Sequence, residues 1–128
     1  MNVPQELRYT KNHEWARVEA DGTVTVGITW HAQELLGDLV YVGTPQIGKT
    51  FGKEQQCGVV ESVKTTSDFY APVAGEVVAV NAQLESNPER VNEDPYAAWI
   101  FKLRPSDPDE VNDLLAAPDY EKLASTED

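Results

Sequence analysis

Lys64 stands in the run Glu61-Ser62-Val63-Lys64-Thr65-Thr66-Ser67-Asp68-Phe69-Tyr70-Ala71-Pro72. The residues on either side, Cys57 to Val63 and Thr66 to Ala71, predict two strands with a tight reversal between them. Such a hairpin projects one ammonium from a rigid base, an address suited to an enzyme that must acylate one lysine and no other. The bland alternative is a solubilising charge at a loop tip. Cys57 is the only cysteine, so no internal disulfide can form. It opens an apolar strand with no adjacent base, which is the setting of a buried, inert thiol. The two histidines, His13 and His31, lack further ligands for a metal, and local hydrogen bonding is expected of both. Gly-x-Ser-x-Gly, phosphate-loop and Gly-x-Gly-x-x-Gly patterns are all absent. The residues therefore point away from an independent enzyme.

The elements that must hold Lys64 read as short strands with regular turns. Glu14 to Glu19 and Thr23 to Val26 predict a hairpin about Asp21-Gly22. Thr29 can cap a helix over 30–36 that stops at Gly37. Strands follow at Asp38 to Val42, Gly75 to Val80 and Trp99 to Leu103, with Pro88 opening a helical turn at Glu89 to Val91. Trp15, Trp30 and Trp99 are expected in or beside the core. After Pro105, Asp107-Pro108-Asp109-Glu110 reads as a cap, a proline at the first helical position and acids in the first turn. Val111, Leu114 and Leu115 continue that helix; Pro118 interrupts it, and a second short helix runs from Tyr120 to Ala124, leaving 125–128 frayed. The expected class is mainly β, a sandwich or barrel with small peripheral helices. An echo, Gly22-Thr23-Val24-Thr25-Val26 against Gly75-Glu76-Val77-Val78-Ala79, suggests two similar halves packed face to face.

The chain has 128 residues, enough for one domain. Ten Lys and Arg against 22 Asp and Glu give a net charge of −12. That surface repels phosphate backbones and anionic bilayers, so neither nucleic acid nor membrane is expected as a partner. No apolar run is long enough for a membrane helix, and Met1 to Glu6 resembles neither a secretory signal nor a transit peptide. A cytoplasmic, bacterial-type protein is expected, with a mature mitochondrial form as the other possibility.

These residues resemble the glycine cleavage H-protein family over nearly the whole chain. The resemblance runs through Tyr9-Thr10-Lys11-Asn12-His13-Glu14-Trp15, Val26-Gly27-Ile28-Thr29 and His31-Ala32-Gln33-Glu34-Leu35-Leu36-Gly37-Asp38. Its centre is Val60-Glu61-Ser62-Val63-Lys64 with Ser67-Asp68. It continues through Ala71 to Val77, Val91-Asn92-Glu93-Asp94-Pro95-Tyr96 and Trp99-Ile100-Phe101-Lys102.

The resemblance implies a barrel-sandwich hybrid of the lipoyl/biotinyl type, formed by two antiparallel sheets. It implies a single carrier domain over 1–128, with the sandwich at about 14–104 and a helical segment at about 107–124. Lys64 would carry lipoate through an amide, and Glu61 would be the acid that lipoylating enzymes recognise. Gly75 and Gly48 match the family's turn glycines, where φ > 0 is often needed. Glu14 and Asp68 match acids that could clamp the amine of a loaded arm, with Asn12 a possible neighbour. The implied partners are a lipoate ligase or lipoyltransferase and three enzymes of glycine cleavage. The pyridoxal-phosphate P protein decarboxylates glycine and loads the aminomethyl group, the T protein passes it to tetrahydrofolate, and the flavin L protein reoxidises the dithiol.

The sequence departs from the family pattern at Trp30, at Tyr41-Val42-Gly43-Thr44, at Thr65-Thr66 and at Ala97-Ala98. None of these touches Lys64 or Glu61, but they could alter docking surfaces. A biotinyl domain would flank the lysine with methionines, whereas Val63 and Thr65 flank it here. Two alternatives remain: an H-like protein that relays lipoyl groups to 2-oxoacid dehydrogenases, and a binding module that carries no lipoate.

Overall fold

A computed structural model describes residues 2–126. Nine strands and short helices follow one another along them. Strand β1 is Arg8–Tyr9, β2 Glu14–Val18 and β3 Val24–Ile28. Helix α1 (Trp30–Leu36) leads into β4 (Leu39–Gly43) and β5 (Thr50–Phe51). The central hairpin is β6 (Gln56–Ser62) and β7 (Thr66–Tyr70), followed by β8 (Gly75–Val80). Helical turns α2 (Gln83–Ser86) and α3 (Arg90–Glu93) precede β9 (Phe101–Pro105), a 3-10 helix (Pro108–Asp113) and α4 (Ala117–Ser125).

The strands make two antiparallel sheets, ordered β1-β2-β3-β9-β8-β5 and β4-β6-β7. The β2–β3 reversal works as its residues suggest. Gly22 takes φ +89°, and the Asp21 carboxylate accepts the Thr23 amide at 3.0 Å. The echoed segments do not face each other across the sandwich. They lie in one sheet on either side of β9, where Val24 and Val77 both pair with Leu103. Both segments are flanks of one central strand.

The main core fills the space between the sheets with Val26, Val60, Phe69, Val77, Phe101 and their neighbours. Phe69 of β7 stacks on Phe101 of β9, with ring centroids 5.8 Å apart. A second cluster seats α4 against β1 and β2. Tyr120 stacks on Tyr9 at 4.6 Å beside the buried Trp15, whose indole N–H donates to the Pro95 carbonyl at 3.0 Å.

The C-terminal segment differs from its sequence reading. Asp107 does cap the first helix, accepting the Asp109 amide at 3.0 Å, but the helix is 3-10 and ends at Asp113. Pro118 sits in the first turn of α4 instead of breaking a helix, because a proline there forfeits no internal hydrogen bond. Ser125 ends α4; residues 127 and 128 of the expected frayed end lie outside the described residues. β1, β5 and α2, each of two to four residues, are too short to show a period in the sequence.

Candidate functional site

The β6–β7 turn is built around one hydroxyl. Ser62 Oγ accepts the amides of Lys64 at 3.2 Å and Thr65 at 3.1 Å, and the Ser62 amide donates to the Thr65 carbonyl at 2.8 Å. The turn also leans on the segment before β4, where the Val63 amide donates to the Asp38 carbonyl at 3.0 Å. Val63 is 71% exposed beside the lysine. Lys64 itself is exposed, and its ammonium makes no ion pair among the described residues. The side chain passes over Gly37: a Cβ built there would lie 3.4 Å from Lys64 Cε. Gly37, at φ +82°, caps α1 and leaves room for the lysine stem.

Glu61 is exposed on β6, opposite Thr66 on one side and Tyr41 on the other, so two of the departures from the family pattern do flank it, against the expectation from sequence, because strand pairing brings them there. It lies on the same hairpin as Lys64, three residues back. Asp68 is exposed on β7, with Gln56 Nε2 at 3.5 Å from its carboxylate.

Glu14 is no surface acid: it is 1% exposed. The Thr10–Glu14 turn, with His13 at φ +71°, folds the carboxyl inward. There the carboxylate accepts the Thr10 hydroxyl at 2.5 Å and the Tyr70 amide at 3.2 Å. Burial raises its pKa to about 7 against the partial opposition of those hydrogen bonds. Asp68 and Glu14 thus meet the same strand, β7, one from the solvent side and one from inside. Asn12 is exposed at the neighbouring turn, its amide donating to Thr10 Oγ1 at 3.3 Å. Cys57 is buried, and burial with the nearby Glu14 carboxyl pushes its thiol up to about 12.

Neither expected turn glycine belongs to the lysine hairpin. Gly48 has φ +93° in the loop before β5, as a turn glycine should. Gly75 opens β8 and is absent from the positive-φ residues. Its constraint is a close approach: a Cβ would meet the Arg104 carbonyl oxygen at 2.4 Å. The histidines meet groups far along the chain as well as near ones. His13 Nδ1 meets the Tyr120 hydroxyl at 2.7 Å, across most of the chain. The rings of His13 and His31 lie 4.7 Å apart, and buried His31 Nε2 has no hydrogen-bond partner among the described residues.

Sequence reasoning passed over two residues of this site. Gly37 reads in the sequence as a helix stop and as part of a motif, with nothing to tie it to Lys64. Asn92 appeared only as part of a motif, yet its side chain holds the segment under the turn. Its Oδ1 accepts the Leu39 amide at 2.9 Å, and its Nδ2 donates to the Gly37 carbonyl at 2.8 Å and to Gln33 Oε1 at 3.1 Å. No local signal marks it, because its partners are more than 50 residues away.

Two antiparallel sheets joined through a shared core make a fold of the lipoyl type, with Lys64 at the tip of one hairpin. The comparisons with known proteins agree. Residues 7–127 match the family described as Glycine cleavage H-protein. The H protein of Nitrosomonas eutropha is 58% identical over 127 residues, covering 99% of this chain and 98% of that protein. The glycine cleavage system H protein 2 of Pseudomonas putida is 59% identical over 122 residues, covering 95% of this chain and 96% of that one. The crystal structure of a glycine cleavage system H protein from Mycobacterium marinum superposes with a TM-score of 0.88 at 40% identity, covering 96% of this chain and 99% of that one. The chain belongs to the glycine cleavage H-protein family.

Proposed function

We propose that this protein serves glycine cleavage as a non-catalytic carrier, with lipoate joined by an amide to Lys64 Nζ. The observation that carries the proposal is the presentation of Lys64: exposed, without an ion pair among the described residues, and held on a turn fixed by Ser62. An amine so placed fits a covalent arm, since acylation costs the fold no contact. When attached, the dithiolane supplies the sulfur that accepts the aminomethyl group from the P protein, yields it to the T protein and is reoxidised through the L protein. The chain supplies placement, a rigid base and, through the tether, a high local concentration at each docked enzyme.

Glu61 stands where a lipoate ligase or lipoyltransferase would read the hairpin. Asp68 is the acid that an ammonium on a folded-back arm would touch. Glu14 acts from beneath β7 through its field and its grip on Tyr70, since it has almost no surface of its own. Gly48 and Gly75 serve the scaffold. The whole chain works as one carrier domain, and a bacterial-type cytoplasm would house it.

Intact mass of protein made with lipoate present is expected to show one lipoyl group, absent from Lys64→Arg. Lys64→Ala should fold normally and support no glycine–bicarbonate exchange with P protein. Exchange at the unsubstituted rate would sink the proposal. Lipoylation without exchange would identify a relay protein, and no modification at all would leave a simple binding module.

A further inference from the structure

We propose that Asn92 is a positioning residue for the acylation of Lys64; this deepens the carrier function proposed above and rests on it. In that reaction Lys64 Nζ, as the free amine, forms an N–C bond to the carbonyl of an acyl adenylate. The bond to the nucleotide phosphate breaks, AMP leaves with the bonding pair, and the nitrogen sheds one proton. Nothing is oxidised. The chain's contribution is where it holds the nitrogen.

Three supports fix that position. The first is Ser62 within the turn. The second is the Asp38 carbonyl, which takes the Val63 amide at 3.0 Å one residue before the lysine. The third is Gly37, beside which the lysine stem passes, its Cε 3.4 Å from where a Cβ would stand. Asp38 and Gly37 belong to one short connection between α1 and β4, and Asn92 is what holds that connection. It bonds Gly37 on one side of Asp38 and Leu39 on the other, and it ties both to Gln33 of α1. Its amide orientation follows from its partners, because an N–H must face Oδ1 and two acceptors must face Nδ2. All three polar positions are used. α3 thereby reaches the acceptor lysine through one side chain, without touching it.

Removing that side chain leaves the 37–39 connection held by two backbone bonds, Gly37 amide to Gln33 carbonyl at 2.9 Å and Val63 amide to Asp38 carbonyl at 3.0 Å, and frees the Leu39 amide and the Gly37 carbonyl. The turn then samples orientations that the acylating enzyme does not recognise. A smaller recognised fraction raises apparent KM and leaves the chemical step alone.

The experiment measures lipoylation of the full-length protein by a lipoate ligase with lipoic acid and ATP, together with amide hydrogen exchange. For Asn92→Ala we expect KM to rise about tenfold with kcat within about twofold. Exchange at Leu39 and Val63 should quicken. Val91→Ala, which opens the core beside it, serves as the control: at a matched loss of melting temperature its KM should stay near that of the unsubstituted chain. Asn92→Gln keeps the acceptor and both donors on a stem one methylene longer, so it should fall between. It carries the comparison if the alanine variant does not fold. Equal KM for the Asn92 variants and Val91→Ala, or unchanged exchange at Val63, overturns the inference alone. Failure of the unsubstituted chain to be lipoylated overturns the carrier function as well.

Discussion

Glu14 shows what a single residue's surroundings can impose. Its carboxyl lies inside the protein with no cationic partner among the described residues. The unfolded chain releases this proton near 4.5, the folded chain near 7. Between those values folding takes up a proton, so stability falls as pH rises from about 4.5 to about 7 and is level above. The expected loss is about 3 kcal/mol, measured by urea unfolding at pH 5 and pH 8. Glu14→Gln should flatten that interval, and an unaltered pH profile would contradict the assignment. Cys57 is a different case. A thiol raised to about 12 stays neutral, so Cys57→Ser should keep carrier activity and lose about 1–2 kcal/mol through a buried hydroxyl. Lys64 was legible in the sequence because a hairpin is a local pattern. The burial of Glu14 was not, since it depends on Tyr70 from another strand. The reason for Gly75 lay equally out of sight, in the carbonyl of Arg104.

Among the elements, α4 contributes most through one hydroxyl. Tyr120 Oη meets His13 Nδ1 and Thr29 Oγ1, both at 2.7 Å, and so joins α4 to the turn before β2 and the cap of α1. Tyr120→Phe keeps the ring stack on Tyr9 and deletes those bonds. We expect a loss of about 2 kcal/mol in denaturant unfolding, with lipoylation of Lys64 unaffected. An unchanged midpoint would mean that the hydroxyl is dispensable. In the Lys64 turn, Ser62→Ala should cost about 1 kcal/mol and speed exchange of the Thr65 amide. Loose alternation revealed β2, while β-branched and apolar runs between turn residues revealed β3, buried at all five positions, and the strands β6, β7 and β8. The pattern misjudged the last helices because Pro118 can begin a helix as well as end one, and only the packing of Ala117 and Tyr120 decides which.

For the molecule as a whole, the net charge of −12 is spread over one small surface. If it steers docking to basic patches on the partner enzymes, KM for the P protein should rise with ionic strength while kcat holds. A flat salt response would assign docking to apolar contact instead. The class of fold was readable from the number of short strands. The sheet order was not, because no periodicity says that the last strand enters between β3 and β8. That late entry has a consequence for synthesis. Lys64 is synthesised well before Phe101, on which Phe69 stacks. Until β9 arrives, the large sheet is two unjoined pieces and the lysine hairpin lacks its floor. The lysine hairpin is therefore among the first parts of the sandwich to be made and among the last to be seated, since its floor comes with β9.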